Sequence, residues 1–539
     1  MKPEEDVLVS SSAMEPYSGA WTVEEAAHLL RRSLFGPSYD QIKTAADQGL
    51  DATITQLLET IPTFTFPRTY EADEPIAAYG TTWVNSVYPS DSTASFNTEK
   101  TRRRSLEAWT MERLNGQAFS LQEKMCLFWQ NHFAAEPCLD ARATYDYFRL
   151  IQNHALGNFA TFVKEMTVNP NMLIFLNGDE NSRFSPNENY ARELLELFTI
   201  GKGNHVGNGD YTNYTEFDIS SGSRILTGWR VEGVRSSTAT KVTSFFEPWH
   251  HDTGDKTLSF RFGNQVISDG QDQEYKTYID LILANKETAR FICRKLYRWF
   301  VSSEISTDVE SNVIEEMATL MISSDYEVKP VLEALLKSAH FYETVHRGAI
   351  IKNPLEFIFG MINSTKSTPS FDLATTYGIY KELFIFGDSL GMEYAQPPNV
   401  GGWTAYYQAP IYSKNWVNSS YMKLRIALAS IMTVFNGVEV GGKAFKLDFL
   451  SFLDGLSVPQ DANQVIEDIV MVFCPNGLEQ AQKDALKMMM LDSLPEFEWT
   501  QQYADYKVDP QNTTLSEPIR QRMANVLEQV FLLLEFQTN

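Results

Sequence analysis

The sequence predicts a mainly α protein: a large multi-helix globular array with a small β-hairpin insertion near residues 229–264. Three observations carry this. Apolar residues recur at spacings of three and four through most of the 539-residue chain, which is the period of one helix face. Helix start signals (Ser, Thr, Asn or Asp) and stop signals (Gly or Pro) bracket many of those stretches. Only the segment after Trp229, RVEGVRSSTATKVTSFFEP, alternates in places and is rich in β-branched residues, as one or two hairpins require. The expected organisation is N-terminal helices and a long connecting loop over 1–100, a helical core over 101–430, and a C-terminal helical extension over 431–539.

Each element has its own signal. In WTVEEAAHLLRRSLFGPSYD, residues 21–40, Thr22 with Glu25 three positions on is a capping-box pattern. Ala26, Leu29, Leu30 and Leu34 fall on one face, and Gly36-Pro37 stops the helix. A second helix is expected over 38–60. Residues 61–98 are rich in Pro, Ser, Thr and Asp and are expected to be irregular. From Thr101 the helical period returns in TRRRSLEAWTMERLN, SLQEKMCLFWQNHFA, ARATYDYFRLIQNHAL and GNFATFVKEMTVNP, and later in KETARFICRKLYRWFV, KPVLEALLKSAHFY and LEFIFGMINS. GKGNHVGNG, residues 201–209, follows a helix and lacks dinucleotide spacing, so it is expected to be a flexible turn.

Composition excludes several functions. The net charge is −24 and the longest cationic run is TRRR at 101–104. Clustered cations are what phosphate binding needs, so neither nucleic acid nor an anionic membrane surface is an expected partner. No apolar run approaches the roughly 18 residues of a transmembrane helix. The N-terminus, MKPEEDVLV, is acidic where a signal peptide is basic. A soluble, cytoplasmic chain is expected as written, periplasmic or secreted if a leader has been removed. The four cysteines form no C-x-x-C pair, against a thiolate metal site or disulfide scaffold, with a single bridge from Cys138 left open.

SPNENYARELLELFTIG, residues 185–201, is expected to be a helix with Ser185 as N-cap, Pro186 at its first position and Gly201 as its stop. At about 100° per residue, Glu188, Arg192, Glu196, Asn189 and Glu193 share one arc, with apolar residues on the other. This block, preceded by NPNMLIFLNG and followed by YTEFDISSGSRILTGW, resembles the bacterial domain-of-unknown-function 1800 family. LLRRSLFGPSYDQI, MCLFWQNHF, NHALGNFATFV, WHHDTGDK, KNPLEFI, PPNVGGW and NWVNSSYMKLR support the resemblance over roughly residues 20–430. It implies a helical bacterial protein of a family without an established activity. It also implies frequent export and a sulfatase-like partner protein encoded nearby.

Three polar clusters are candidates for function. The first is Glu188, Arg192, Glu193 and Glu196 with Glu216, Asp218 and Arg224, although Thr215 and Asp218 also read as a capping pair. The second is His132 with His251 and Asp252, which a divalent metal could use, though no tight ligand motif is present. The third is the loop bearing Asn399, Trp403, Tyr406 and Trp416, a candidate platform for a small molecule or glycan, with Lys256 as a further ligand contact. Two functions are expected: a binding or accessory protein whose polar helix lines an internal pocket, or a hydrolase. In the hydrolase, Glu188 or Glu193 is the general acid/base, Arg192 or Arg224 holds an anion, and His132 or His251 moves a proton or binds metal.

Overall fold

The computed structural model describes residues 14–539, so the stretch MKPEEDVLV read for an export signal lies outside the described residues. Helices dominate, and the strands among the described residues form only two-stranded antiparallel hairpins. One contiguous apolar core runs from Ala26 to Phe536, so the segments before residue 100 and after residue 430 share it with the middle. No helix among the described residues is long and apolar enough to cross a membrane. The four cysteines are buried and free.

The first helix, Val23–Ser33, has the expected Thr22–Glu25 capping box. Gly36 then turns the chain at φ +79°, where an added Cβ would meet the Phe359 carbonyl oxygen at 2.6 Å. The helix expected over 38–60 is two helices, Tyr39–Gln48 and Leu50–Glu59. Gly49 breaks them at φ 89°, and Thr53 Oγ1 donates to the carbonyls of Ala45 and Gly49, fastening the corner.

The connection that follows has no helix until Ser92, nine residues before the expected restart, where Asp91 caps the long helix Ser92–Asn115. An ion pair orders the connection. Arg102 makes two hydrogen bonds to Glu74, at 2.9 and 3.1 Å, while Nη1 donates to the Ser86 carbonyl and Nη2 also donates to that of Val87. Both charged side chains are essentially fully buried, so each satisfies a partner that would otherwise be an isolated charge. TRRR is therefore no cationic patch: Arg103 pairs with Glu99 and Arg104 with Glu71. The Ser92–Asn115 helix packs most extensively against Leu373–Ser389.

The insertion contains two hairpins, Trp229–Glu232 with Thr243–Phe246 and Lys256–Thr257 with Val266–Ile267. GKGNHVGNG, expected to be a flexible turn, contains part of a third, His205–Gly207 with Asp210–Tyr211. A fourth, Val438–Val440 with Lys443–Phe445, had no sequence expectation.

Candidate functional site: ionic locks beneath an aromatic face

The candidate charged helix starts later than its sequence suggests. Asn187, not Ser185, is the N-cap, because Asn181 Oδ1 accepts from the Asn187 amide and fixes the chain there before the helix Glu188–Glu193 begins. The apolar face is as expected: Tyr190, Ala191, Leu194, Leu195 and Phe198 are buried. The charged face looks outward. Arg192 makes paired hydrogen bonds to Glu216 at 2.9 and 2.8 Å and reaches Glu188 at 3.3 Å, with all three side chains about a third to a half exposed. The Arg192 guanidinium holds the Glu216 carboxyl below its usual range. Burial, then Glu196, raises that of Glu193.

Past Glu193 the helix widens into a π-turn, Leu194–Phe198, and Gly201 closes it at φ +72° by donating to the Leu195 carbonyl. Widening leaves carbonyls without helical donors, and side chains from elsewhere supply them. His132 Nε2 bonds the Phe198 carbonyl at 3.0 Å, and Lys295 Nζ bonds the Leu197 carbonyl at 3.0 Å and His132 Nδ1 at 3.1 Å. A ring nitrogen facing a carbonyl must carry the proton, so Nδ1 is the acceptor and His132 is neutral. Burial, then Lys295, holds its pKa well below the usual value. Burial also pushes Lys295 down to about 7. His132 is therefore a helix cap with both nitrogens engaged, separate from the Arg192 face.

The WHHDTGDK segment does bring predicted residues together, though not in the predicted set. Asp252 turns away from His251 and makes a two-point pair with Arg224, at 2.7 and 3.0 Å, which lowers the Asp252 pKa. His251 turns inward. Thr227 Oγ1 gives its proton to the Arg224 carbonyl, so His251 Nδ1, 3.1 Å from that oxygen and 2.9 Å from the Thr227 carbonyl, is a committed donor. His251 Nε2 then faces Glu274 Oε2 at 3.0 Å and Asp269 at 3.8 Å, while Lys256 Nζ lies 2.7 Å from Glu274 Oε1. The side chains of His251, Lys256 and Glu274 are wholly buried.

One hydrogen bond joins that imidazole nitrogen to the carboxylate. The Lys256 ammonium already pairs with the Glu274 carboxylate at 2.7 Å. A divalent ion would stand beside a buried ammonium, which Coulomb repulsion at low dielectric disfavours. The cluster works as an ionic lock joining the insertion to the helices Glu216–Ile225 and Glu274–Leu283. Asp218 is structural too: it completes the Thr215 capping box and accepts from the backbone and hydroxyl of Ser259. Sequence reasoning missed Glu274 and Asp269 because they lie beyond the histidine motif in sequence and meet it only through the Lys256–Ile267 hairpin.

The expected aromatic platform is filled in. Trp403 and Trp416 are buried at 2% and 4% exposure. Tyr406 packs 4.5 Å from Trp299 and accepts a hydrogen bond from Asn353. Of the loop, Asn399 and Tyr407 remain at the surface, bonded to each other. An exposed pair stands elsewhere. Phe184 and Trp249, 64% and 65% exposed, lie with ring centroids 6.0 Å apart. The Arg183 guanidinium sits 4.7 Å from the first ring and 4.3 Å from the second, and the Arg183 amide donates to the His250 carbonyl. Glu247 and His250, joined at 2.7 Å, border it. Trp249 thus sits on the turn whose next residue is the buried His251, and Phe184 meets it from the Ser182–Ser185 segment. The Pro-Trp of PWHHDTGDK, placed in a turn, was the signal for it.

A family model described as "Protein of unknown function (DUF1800)" matches residues 28–533. The chain belongs to that family, and the match extends about a hundred residues beyond the segment over which its motifs are legible. No curated protein and no solved structure matches the chain.

Proposed function

We propose that this member of the DUF1800 family is a binding or accessory protein that holds a glycan on the Phe184–Trp249 face. The observation that supports it most is an aromatic pair left open to solvent yet held in place, with Arg183 stacked against both rings. Aromatic rings offer flat apolar area to the axial C–H faces of a sugar, and the bordering Arg183, Glu247 and His250 supply hydrogen-bonding edges. A chain with ten tryptophans exposes only this one among the described residues.

The charged groups of the predicted clusters speak against the hydrolase alternative. Arg192 and Arg224 already hold carboxylates, and His132 has both nitrogens engaged. A general acid/base needs a group free to exchange its proton with substrate. Of the proposed catalytic carboxylates only Glu193 lacks a cationic partner among the described residues.

Affinity electrophoresis in gels cast with soluble polysaccharides tests the proposal. Retardation of the wild-type protein, lost in Trp249→Ala and Phe184→Ala with unchanged melting temperature, is the expected result. Equal mobility of wild type and both variants on every polysaccharide, or retardation that both variants retain, would overturn it.

A further inference from the structure

Apart from the locks, a second group of titratable side chains gathers where the sequence reads HFYETVH, residues 340–346. Two single-turn 3₁₀ helices, His340–Tyr342 and Thr344–His346, meet at Glu343. Glu343, extended at ψ 135°, joins the two turns so that His340 and His346 both approach it. Their ligand atoms all lie within 4.8 Å of one another. His340 Nδ1 is 3.0 Å from one Glu343 oxygen and His346 Nε2 is 3.8 Å from the other. The two imidazole rings stand 4.6 Å apart at 74°.

Two details distinguish this group from an ordinary cluster. His346 is 7% exposed, yet its Nε2 has no hydrogen-bond partner. A buried polar atom left unpaired costs roughly 1–3 kcal/mol, a cost that a ligand on this nitrogen would remove. In addition, Tyr297 OH lies 2.9 Å from His340 Nε2, which orients that ring from behind and leaves Nδ1 directed at Glu343, as an outer partner does for a metal-binding histidine.

We infer that His340, Glu343 and His346 form a binding site for one borderline divalent cation of the zinc class. Two imidazoles and a carboxylate are the donors such ions prefer, and three protein ligands leave a coordination position open. Glu343, about half exposed, provides the route from solvent. Arg32, which donates to the His346 carbonyl, opposes a cation and makes the site weaker than one without an adjacent guanidinium.

The experiment uses the full chain, stripped with chelator and dialysed, then titrated with Co2+ by visible absorption and with Zn2+ by calorimetry. One Co2+ per chain is expected, with its absorption band displaced by Zn2+. Glu343→Gln, a half-exposed change that keeps the fold, is expected to weaken binding by at least about tenfold, and His346→Gln to abolish it. Asp269→Asn, at the other His/carboxylate cluster, is expected to leave it unchanged. Absence of a Co2+ band, binding unaltered in Glu343→Gln, or binding lost in Asp269→Asn would overturn the inference.

Discussion

Replacing Glu274 with Gln tests whether the buried cluster is a lock. The substitution keeps the shape and removes one charge. The new amide still offers His251 a hydrogen-bond partner, so the cost falls on Lys256. Its ammonium is wholly buried and its remaining protein contact is the Asp252 carbonyl. A buried ion stripped of its partner costs about 3–5 kcal/mol. Unfolding entropy per residue gives a 539-residue chain about 1.1 kcal/mol per kelvin if it melts as one unit. The expected loss is therefore about 3–4 °C, read by differential scanning calorimetry. A Glu274→Gln melting temperature equal to or above the wild type would refute the reasoning.

Arg192→Ala removes a partly exposed pair worth at most about 1 kcal/mol, so it should move the melting temperature by no more than about 1 °C in the same assay. A large loss there would mean the outer charge face also supports the core. Gly36→Ala places a Cβ 2.6 Å from the Phe359 carbonyl oxygen at positive φ, and should destabilise by about 1–3 kcal/mol in denaturant titration. Stability should also fall in mild acid. His28, His132 and His346 are held neutral in the fold, with pKa values below the ordinary 6.5. Below the unfolded value the unfolded chain therefore binds more protons, at a cost of about 1.4 kcal/mol per pH unit for each such group. Melting temperatures should drop as pH falls from 6.5 towards 5, and a flat profile over that window would contradict the burial of these rings.

Local signals carried the architecture well. The Thr22–Glu25 and Thr215–Asp218 boxes are visible in sequence because capping is a three-residue interaction, and the apolar face of the Glu188 helix follows from its period. The breaks were harder to see: a lone Gly49 inside a helical pattern looks tolerable until its positive φ is known. The order of residues 61–91 was not legible at all, because the Arg102–Glu74 pair that imposes it joins residues 28 apart. The candidate site fared similarly. Arg224, His251, Asp252 and Lys256 do gather, but the pairing of Asp252 with Arg224 and of Lys256 with Glu274 depends on how a hairpin folds over two helices. Aromatic exposure was misjudged for one reason: Gly/Pro loops can be buried as readily as displayed, and Trp403 donates its backbone N–H to Asn131 inside the molecule.

The most direct test of the binding account uses the exposed tryptophan as its own reporter. Trp249 is the residue whose fluorescence acrylamide reaches most easily, since Trp83, Trp109, Trp129, Trp403 and Trp499 are fully buried. A polysaccharide that retards the protein should shield the quenchable fraction, and that fraction should be missing from Trp249→Ala. Quenching that stays the same when the polysaccharide is bound would contradict the account and move the binding surface away from the Phe184–Trp249 face.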